Sequence, residues 1–421
     1  MTTTTMDSLF GGRRRVWAAA AILLVGIAVA ALPRASFARR TEIADVSTPM
    51  APGVGMPGGP ATSAEGLHGR VREMEARLRE QPHDLAASVL LSDALLRLSR
   101  ASSDGRNASR AADVLNAALK DNPGAYDAMR MLGAIDLSLH RFKDALEVGR
   151  RASEMRPQDA WNYGVIGDAL LELGDYDQAF AAFDQMMQLR PSPAAYARVA
   201  YAREISGDLT GALGAMQTAF QASPVTDPES QAWYATQVGE LFLKLDRLGD
   251  ADREFKRAVF VYPQYPLAVV GAGKVKAARG DRDGALAVFV DQLSRTPTLD
   301  LASRIGDLHA QAGRPAEAEH YYQLAEDLAG PVPTQTEANL ALFLAERDRK
   351  LPEAVSIAES IARMRHDIWT DHALAWSYFK VGRLHDAEAS ITRAERTGSR
   401  DERLRAHGEA IRAATGHVKT H

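Results

Sequence analysis

The stretch "GDALLELGDYDQAFAAFDQMMQLRP", Gly167 to Pro191, repeats itself along the chain. Shifted by 34 residues, Gly167 falls under Gly133, Tyr176 under Phe142, Ala179 under Ala145, Leu189 under Met155 and Pro191 under Pro157. The ladder continues in both directions. Prolines at 82, 123, 157, 191, 224, 263 and 297 stand 41, 34, 34, 33, 39 and 34 residues apart, and the two long steps carry the insertions "SRASSDGRN" (99–107) and "VTDPES" (225–230). One alanine recurs at a fixed place in each unit: Ala111, Ala145, Ala179, Ala212, Ala251, Ala285, Ala318, Ala354 and Ala387. Five residues before several of them stands a turn signal, as in Gly174-Asp175, Gly207-Asp208, Gly280-Asp281, Gly313-Arg314 and Gly382-Arg383.

A period of this length describes two antiparallel helices joined by a tight turn, neither of which can bury its apolar stripe alone. Gly133, Gly167, Gly239, Gly273 and Gly306 fall in the first helices, where a missing side chain lets the second helix approach. Phe142, Tyr176, Leu209, Leu248 and Leu384 follow the turn as wedges between helices. The closing proline ends the second helix, because it removes a donor and clashes one turn back. Interiors tolerate neither voids nor overfilling, so sizes must recur where contacts recur.

In Tyr163-x-x-Ile166-Gly167-x-x-Leu170, Gly174-Asp175-Tyr176, Ala179, Phe183 and Pro191 the pattern resembles the tetratricopeptide repeat family, whose unit is a 34-residue helix–turn–helix. The likeness runs over residues 67–416, with about eight full units from residue 126 onward and a degenerate one before them. The unit around Ala354 lacks both the turn glycine and the final proline. The resemblance implies an all-α fold, a superhelical solenoid of such repeats; an N-terminal transmembrane or signal helix is expected ahead of it.

That last element is read from composition. Residues 16–32, "VWAAAAILLVGIAVAAL", hold no charged side chain and lie between Arg13-Arg14-Arg15 and Arg34, Arg39 and Arg40. Seventeen apolar residues sit at the short end of the roughly 17–25 that cross a bilayer. The organisation expected is a short tail (1–15), a transmembrane anchor or signal helix (16–32), a flexible Pro/Gly-rich linker (33–66), the repeat array (67–416) and a frayed tail (417–421). A single-pass membrane protein with a periplasmic array follows; an exported soluble protein, after signal cleavage near Ser36-Phe37-Ala38, is the alternative.

The remaining numbers exclude more than they suggest. A formal net charge of −4 over 421 residues disfavours a nucleic-acid partner, which selects for a basic excess. The absence of cysteine removes disulfides and thiolate metal sites. "VVGAGKVK" (269–276) resembles a phosphate loop, but Ala268 stands where its first glycine belongs and Val275 follows Lys274 where Ser or Thr is needed. The eleven histidines show no HExxH spacing, and Glu73 with Arg77 and Glu75 with Arg79 read as solvated helix-face pairs. No enzyme, no cofactor and no metal is expected.

In the family that the chain resembles, first helices line a concave groove that meets ligands. The resemblance therefore implies groove positions at Trp161, Asp168, Tyr201, Trp233, Glu240, Asp307, Phe343, Trp369 and Trp376, with Glu204, Lys274, His372 and Phe379 beside them. Aromatic anchors next to charges suit an extended peptide or a partner helix; the alternative is that each ring packs between neighbouring units. The asparagines with which some members clamp a C-terminal carboxylate are absent, the matching places holding Ala134, Asp168, Tyr201, Glu240, Lys274, Asp307, Phe343 and Trp376. The function expected is a membrane-tethered scaffold that binds partner proteins or peptides. The alternatives are an assembly or chaperone-like accessory subunit of an envelope complex, or an enzyme of unrecognised type.

Overall fold

The computed structural model describes residues 64–102, 105–263, 265–329 and 338–418. Among these residues there are twenty α-helices and no strand. The segments read as tail, anchor or signal helix and most of the linker lie outside them. The helices are α1 (Ala64–Glu80), α2 (Leu85–Ser102), α3 (Gly105–Asp121), α4 (Tyr126–Ser138), α5 (Phe142–Met155), α6 (Ala160–Leu173) and α7 (Tyr176–Leu189). Then come α8 (Pro193–Ile205), α9 (Leu209–Ala222), α10 (Pro228–Lys244), α11 (Leu248–Val261), α12 (Pro266–Ala278), α13 (Arg282–Arg295), α14 (Leu299–Gln311) and α15 (Pro315–Ala329). The last five are α16 (Ala338–Glu346), α17 (Leu351–Ala362), α18 (Ile368–Lys380), α19 (Leu384–Ala394) and α20 (Glu402–Val418). Two compact units share them: the smaller comprises residues 276–329, the larger residues 64–275 and 338–418.

Turn chemistry sets the helix boundaries. Asp175, Asp208 and Asp281 each accept a backbone N–H of their own helix's first turn, from Gln178, Gly211 and Gly284 respectively. That satisfies a donor which helix geometry leaves orphaned. The glycines before these caps have positive φ: 88° at Gly174, 82° at Gly207 and 80° at Gly280. Where the sequence has drifted, His140 (56°), Asp246 (55°) and Asp348 (52°) take a left-handed conformation instead. A side chain there costs roughly 1–2 kcal/mol against the right-handed region, and packing around the turn must offset it.

The recurring alanines are the closest contacts. In the larger unit Ala111, Ala145, Ala179, Ala212, Ala251, Ala354 and Ala387 have no exposed surface. The glycine facing each ring shows why size matters here. A Cβ on Gly167 of α6 would fall on the ring of Phe183 from α7, and within 3.2 Å of the Ala179 carbonyl. Phe255 of α11 is enclosed between Gly239 of α10 and Gly271 of α12, either of which would strike the ring if it carried a methyl group. Gly271 thus packs against the second helix of the preceding unit, a role that the sequence did not single out.

The smaller unit follows the same rule. Leu286, Phe289 and Leu293 of α13 are buried, as are Leu301, Ala302 and Ile305 of α14 and Ala318, Tyr321 and Ala325 of α15. A Cβ on Gly306 would meet the ring of Tyr322.

The expected membrane localisation is corrected here. Among the described residues no helix is long and apolar enough to cross a bilayer. Spanning needs about 20 predominantly apolar residues. The longest helix, α2, has 18 and includes Asp93 and Arg97, whereas α16, a far more apolar helix, has 9. Single-pass anchoring with a periplasmic array rested on residues 16–32, which lie outside the described residues, and no described helix supports it.

Candidate interaction surface

The first helices carry the positions that the sequence singled out. On α6, Trp161 is half-buried. Its indole N–H donates to the Arg130 carbonyl (3.4 Å), and the Arg130 guanidinium lies 4.4 Å from the ring centroid. Arg130 is in turn 3.3 Å from Asp159. A cation over an indole face gains from the ring quadrupole. Two turns along, Asp168 accepts two hydrogen bonds from the Arg198 guanidinium of α8, at 2.9 and 2.5 Å. The Arg198 side chain is only 6% exposed. Burial pushes the Asp168 carboxyl above its usual range, with Arg198 acting against that shift.

The same arrangement climbs the larger unit. Glu204 of α8 pairs with Lys244 of α10, and Glu240 of α10 pairs with Lys274 of α12 at 2.8 Å. Each acidic first helix is thus tied to a base on the next first helix. Asp168 and Glu240 hold neighbouring units together before they can hold anything else. In the smaller unit Asp307 of α14 accepts the Tyr322 hydroxyl at 2.9 Å.

The rings divide into two groups. Trp233 of α10 is buried edge-on against Tyr234 at 5.0 Å, and Phe343 of α16 is buried with the Arg347 guanidinium 4.7 Å from its ring. Tyr201, Trp369 and Trp376 are half-buried. Trp376 of α18 stacks on His407 of α20, with centroids 3.5 Å apart and planes at 4°, and on Phe379 at 4.8 Å. His407 Nδ1 lies 2.9 Å from Nε2 of the fully buried His372. Burial lowers both imidazoles, His407 to about 4 and His372 well below its usual value.

Tyr201 and Trp369 come together although 168 residues separate them: the Trp369 indole N–H donates to the Tyr201 hydroxyl at 3.3 Å. Around this pair residues 365–369, together with Arg396 beyond α19, lie against the start of α5 and against α6, α7 and α8. Arg365 donates to Glu172 (3.1 Å) and its guanidinium lies 5.2 Å from the Phe142 ring. The Ile368 N–H donates to the Tyr176 hydroxyl (2.8 Å), and Arg396 donates to the Gly174 carbonyl (3.3 Å). Burial raises the Glu172 carboxyl to about 8, with Arg365 opposing it.

Sequence reasoning missed Arg198, Lys244, Glu172, Arg365 and Arg396. A signal existed for the bases on first helices, because Lys274 stands one repeat (34 residues) after Glu240 and Arg198 stands 30 after Asp168. Nothing periodic marks Arg365. Among the described residues no group of three or more His, Asp or Glu could hold a metal ion.

Stacked antiparallel hairpins, with one buried alanine per unit and small residues under large rings, define a helical-repeat protein. Residues 96–160 and 165–225 match the family model described as Tetratricopeptide repeat, and that part of the chain is built of tetratricopeptide repeats. Among solved structures it is similar to the crystal structure of the APC/C hetero-tetramer Cut9–Hcn1. The TM-score there is 0.50 at 14% identity over 83% of this chain, which spans 60% of that one. It is also similar to the human IFIT1 dimer with m7Gppp-AAAA (TM-score 0.52, 15% identity, 80% of this chain and 78% of that chain). At such identities the likeness is one of fold. No curated protein matches the sequence.

Proposed function

We propose that the chain is a non-enzymatic interaction scaffold that binds a partner protein or peptide on the first-helix face of its repeats. One observation carries this reading. Of the six rings among the nine candidate positions, Trp161, Tyr201, Trp369 and Trp376 keep part of their surface at solvent while a neighbour fixes each in place. Large rings with few rotamers, held beside charged groups, lose little entropy when a partner covers them, and they dominate binding energy where they occur. The similarity to one chain of a hetero-tetramer supports a protein partner. Nucleic acid is the weaker reading, because Asp168, Glu204 and Glu240 on this face are each paired with a neighbouring base, which leaves no basic excess.

Site-specific photocrosslinking tests the proposal. A photoreactive phenylalanine at position 161 or 376 is expected to capture a discrete partner from the native host, and one at the exposed Lys143 of α5 is not. Equal capture from all three positions would overturn it.

A further inference from the structure

His372 of α18 and His407 of α20 meet across a helix–helix contact, Nε2 to Nδ1 at 2.9 Å. One proton fits between those two nitrogens, so one ring donates and the other accepts. The outer nitrogens assign the roles. His407 Nε2 lies 4.0 Å from the Glu346 carboxylate, which favours an N–H there. His372 Nδ1 is buried with no hydrogen-bond partner among the described residues, so an N–H at that atom would have no acceptor. His372 therefore donates from Nε2 and His407 accepts at Nδ1. A further proton has no good place. On His372 Nδ1 it makes a buried N–H without an acceptor; on His407 Nδ1 it sets two N–H groups against each other. Lys380 of α18 and Arg403 of α20 add positive charge near the pair, while Asp401 and Glu346 oppose it. The Glu346 carboxylate is already shared between Arg347 (3.1 Å) and Arg403 (3.5 Å). Of α17 and α19, Glu359 is engaged by Arg383 and Arg393 by Asp371. The lowered proton affinity of both imidazoles agrees with this geometry.

The same contact covers a candidate ring, because His407 lies flat on Trp376 with centroids 3.5 Å apart. Beside it α20 is held by one apolar stripe: Leu404 and Ile411, both without exposed surface, pack with Ala375, Ala387 and Ile391. The other face of α20 is polar, with Glu402, Arg405, Glu409 and Arg412 exposed. We infer that α20 is an acid-released cover: protonation of the His372–His407 pair lifts α20 from α18 and bares the face of Trp376. Two imidazolium rings carry only N–H donors and cannot bond each other. In the released state both rings reach water and bind protons with their ordinary affinity, near pH 6.5. Each proton taken up on release then raises the released fraction about tenfold per pH unit below that value. A helix with one buried stripe and a solvated outer face is the kind of element that opens by itself while the rest of a fold stays closed. The device does not depend on partner binding, so its failure leaves the scaffold reading standing.

Thiol labelling of the full chain tests the inference. The chain has no cysteine, so Ile411→Cys puts a single thiol under α20, and Ala179→Cys puts one in the buried contact between α6 and α7 as a control. Labelling by dithiodipyridine, which reacts in acid, is followed from pH 6.5 to pH 5 and corrected for the reactivity of free cysteine. The rate at position 411 should rise by about ten- to a hundredfold per pH unit, for one or two protons taken up, while position 179 stays protected. His372→Phe with His407→Phe keeps two rings without a titrating nitrogen and should remove that slope. His407→Asn, the milder change, should reduce it to about tenfold per pH unit or less, and it decides the matter if the double variant is not helical at pH 7. Should Ile411→Cys itself loosen α20 at pH 7, the buried Thr415→Cys carries the thiol instead. A flat rate under α20 overturns the inference, as does a slope unchanged by the histidine substitutions. So does simultaneous opening at the control position, because the acid transition is then unfolding of the array and not release of one helix.

Discussion

Phe255 offers the sharpest test of how the hairpins pack, because its surroundings make one substitution change sign with context. The ring is fully buried, with Gly239 on one side and Gly271 on the other. Phe255→Ala removes it and leaves a cavity, a change that costs about 3–5 kcal/mol in well-packed cores. Gly271→Ala in the natural chain has two opposing effects. Replacing a helical glycine contributes about 1 kcal/mol, but the added methyl group would meet ring atoms of Phe255 at under van der Waals distance, and overpacking of this kind costs about 1–3 kcal/mol. The net is a loss of up to about 2 kcal/mol. In the Phe255→Ala background the obstruction is gone, so the same change should stabilise by about 0.5–1 kcal/mol. The coupling between the two sites is then about 1–3 kcal/mol, in the range found for residues in contact. Urea unfolding followed by Trp233 fluorescence reads the result. Hydrogen exchange over α10–α12 complements it, since stacked repeats lose structure by neighbourhoods rather than all at once. Gly271→Ala shifting the midpoint by the same sign and size in both backgrounds would refute the reasoning.

Other outcomes follow from single contacts. Asp168→Ala should cost about 3 kcal/mol or more in urea unfolding, because it strands the buried Arg198 guanidinium; Asp168→Leu with Arg198→Met should recover most of that loss. Gly174→Val should lower the thermal midpoint, both because φ there is 88° and because a Cβ would press on the His366 carbonyl. Hydrogen exchange should show the loosening at residues 365–369. For pH, a base whose folded-state affinity for protons is depressed binds fewer protons when folded, so stability falls as pH drops below the unfolded value. His407, lowered from 6.5 to about 4, should therefore cost on the order of 3 kcal/mol as pH falls from about 6.5 to below 4. His372, also lowered, adds in the same direction. Fluorescence of Trp376, which stacks on His407, should report that acid limb, and His407→Asn should flatten it.

The recurring alanine and the turn glycine made the hairpins legible in the sequence, because each records a local demand: a close approach or a left-handed turn. Where His140, Asp246 and Asp348 replaced glycine the turn survived, since packing holds one strained residue in place. Gly271 escaped notice for a related reason. Two glycines stand two residues apart in "GAG", and only the position of the Phe255 ring tells which of them lies beneath it. The candidate rings were legible as ring positions, but not their fates. Trp233 and Phe343 are buried, whereas Trp161 and Trp376 keep an edge at solvent. The pairing of Trp369 with Tyr201, and of Arg365 with Glu172, left no trace in the repeat. Such contacts depend on small rotations accumulated over several units, which no single unit encodes.

Residues 172 and 365, 193 positions apart in sequence, meet across the larger unit, and that meeting is what the repeat packing requires at long range. The chain has no cysteine, so Glu172→Cys with Arg365→Cys provides two unique thiols. Treatment of the dilute double variant with a short bis-maleimide should give a crosslinked monomer, and protease fragments joining α6 to the segment before α18. Unlinked monomer, or links found only between chains, would contradict the account.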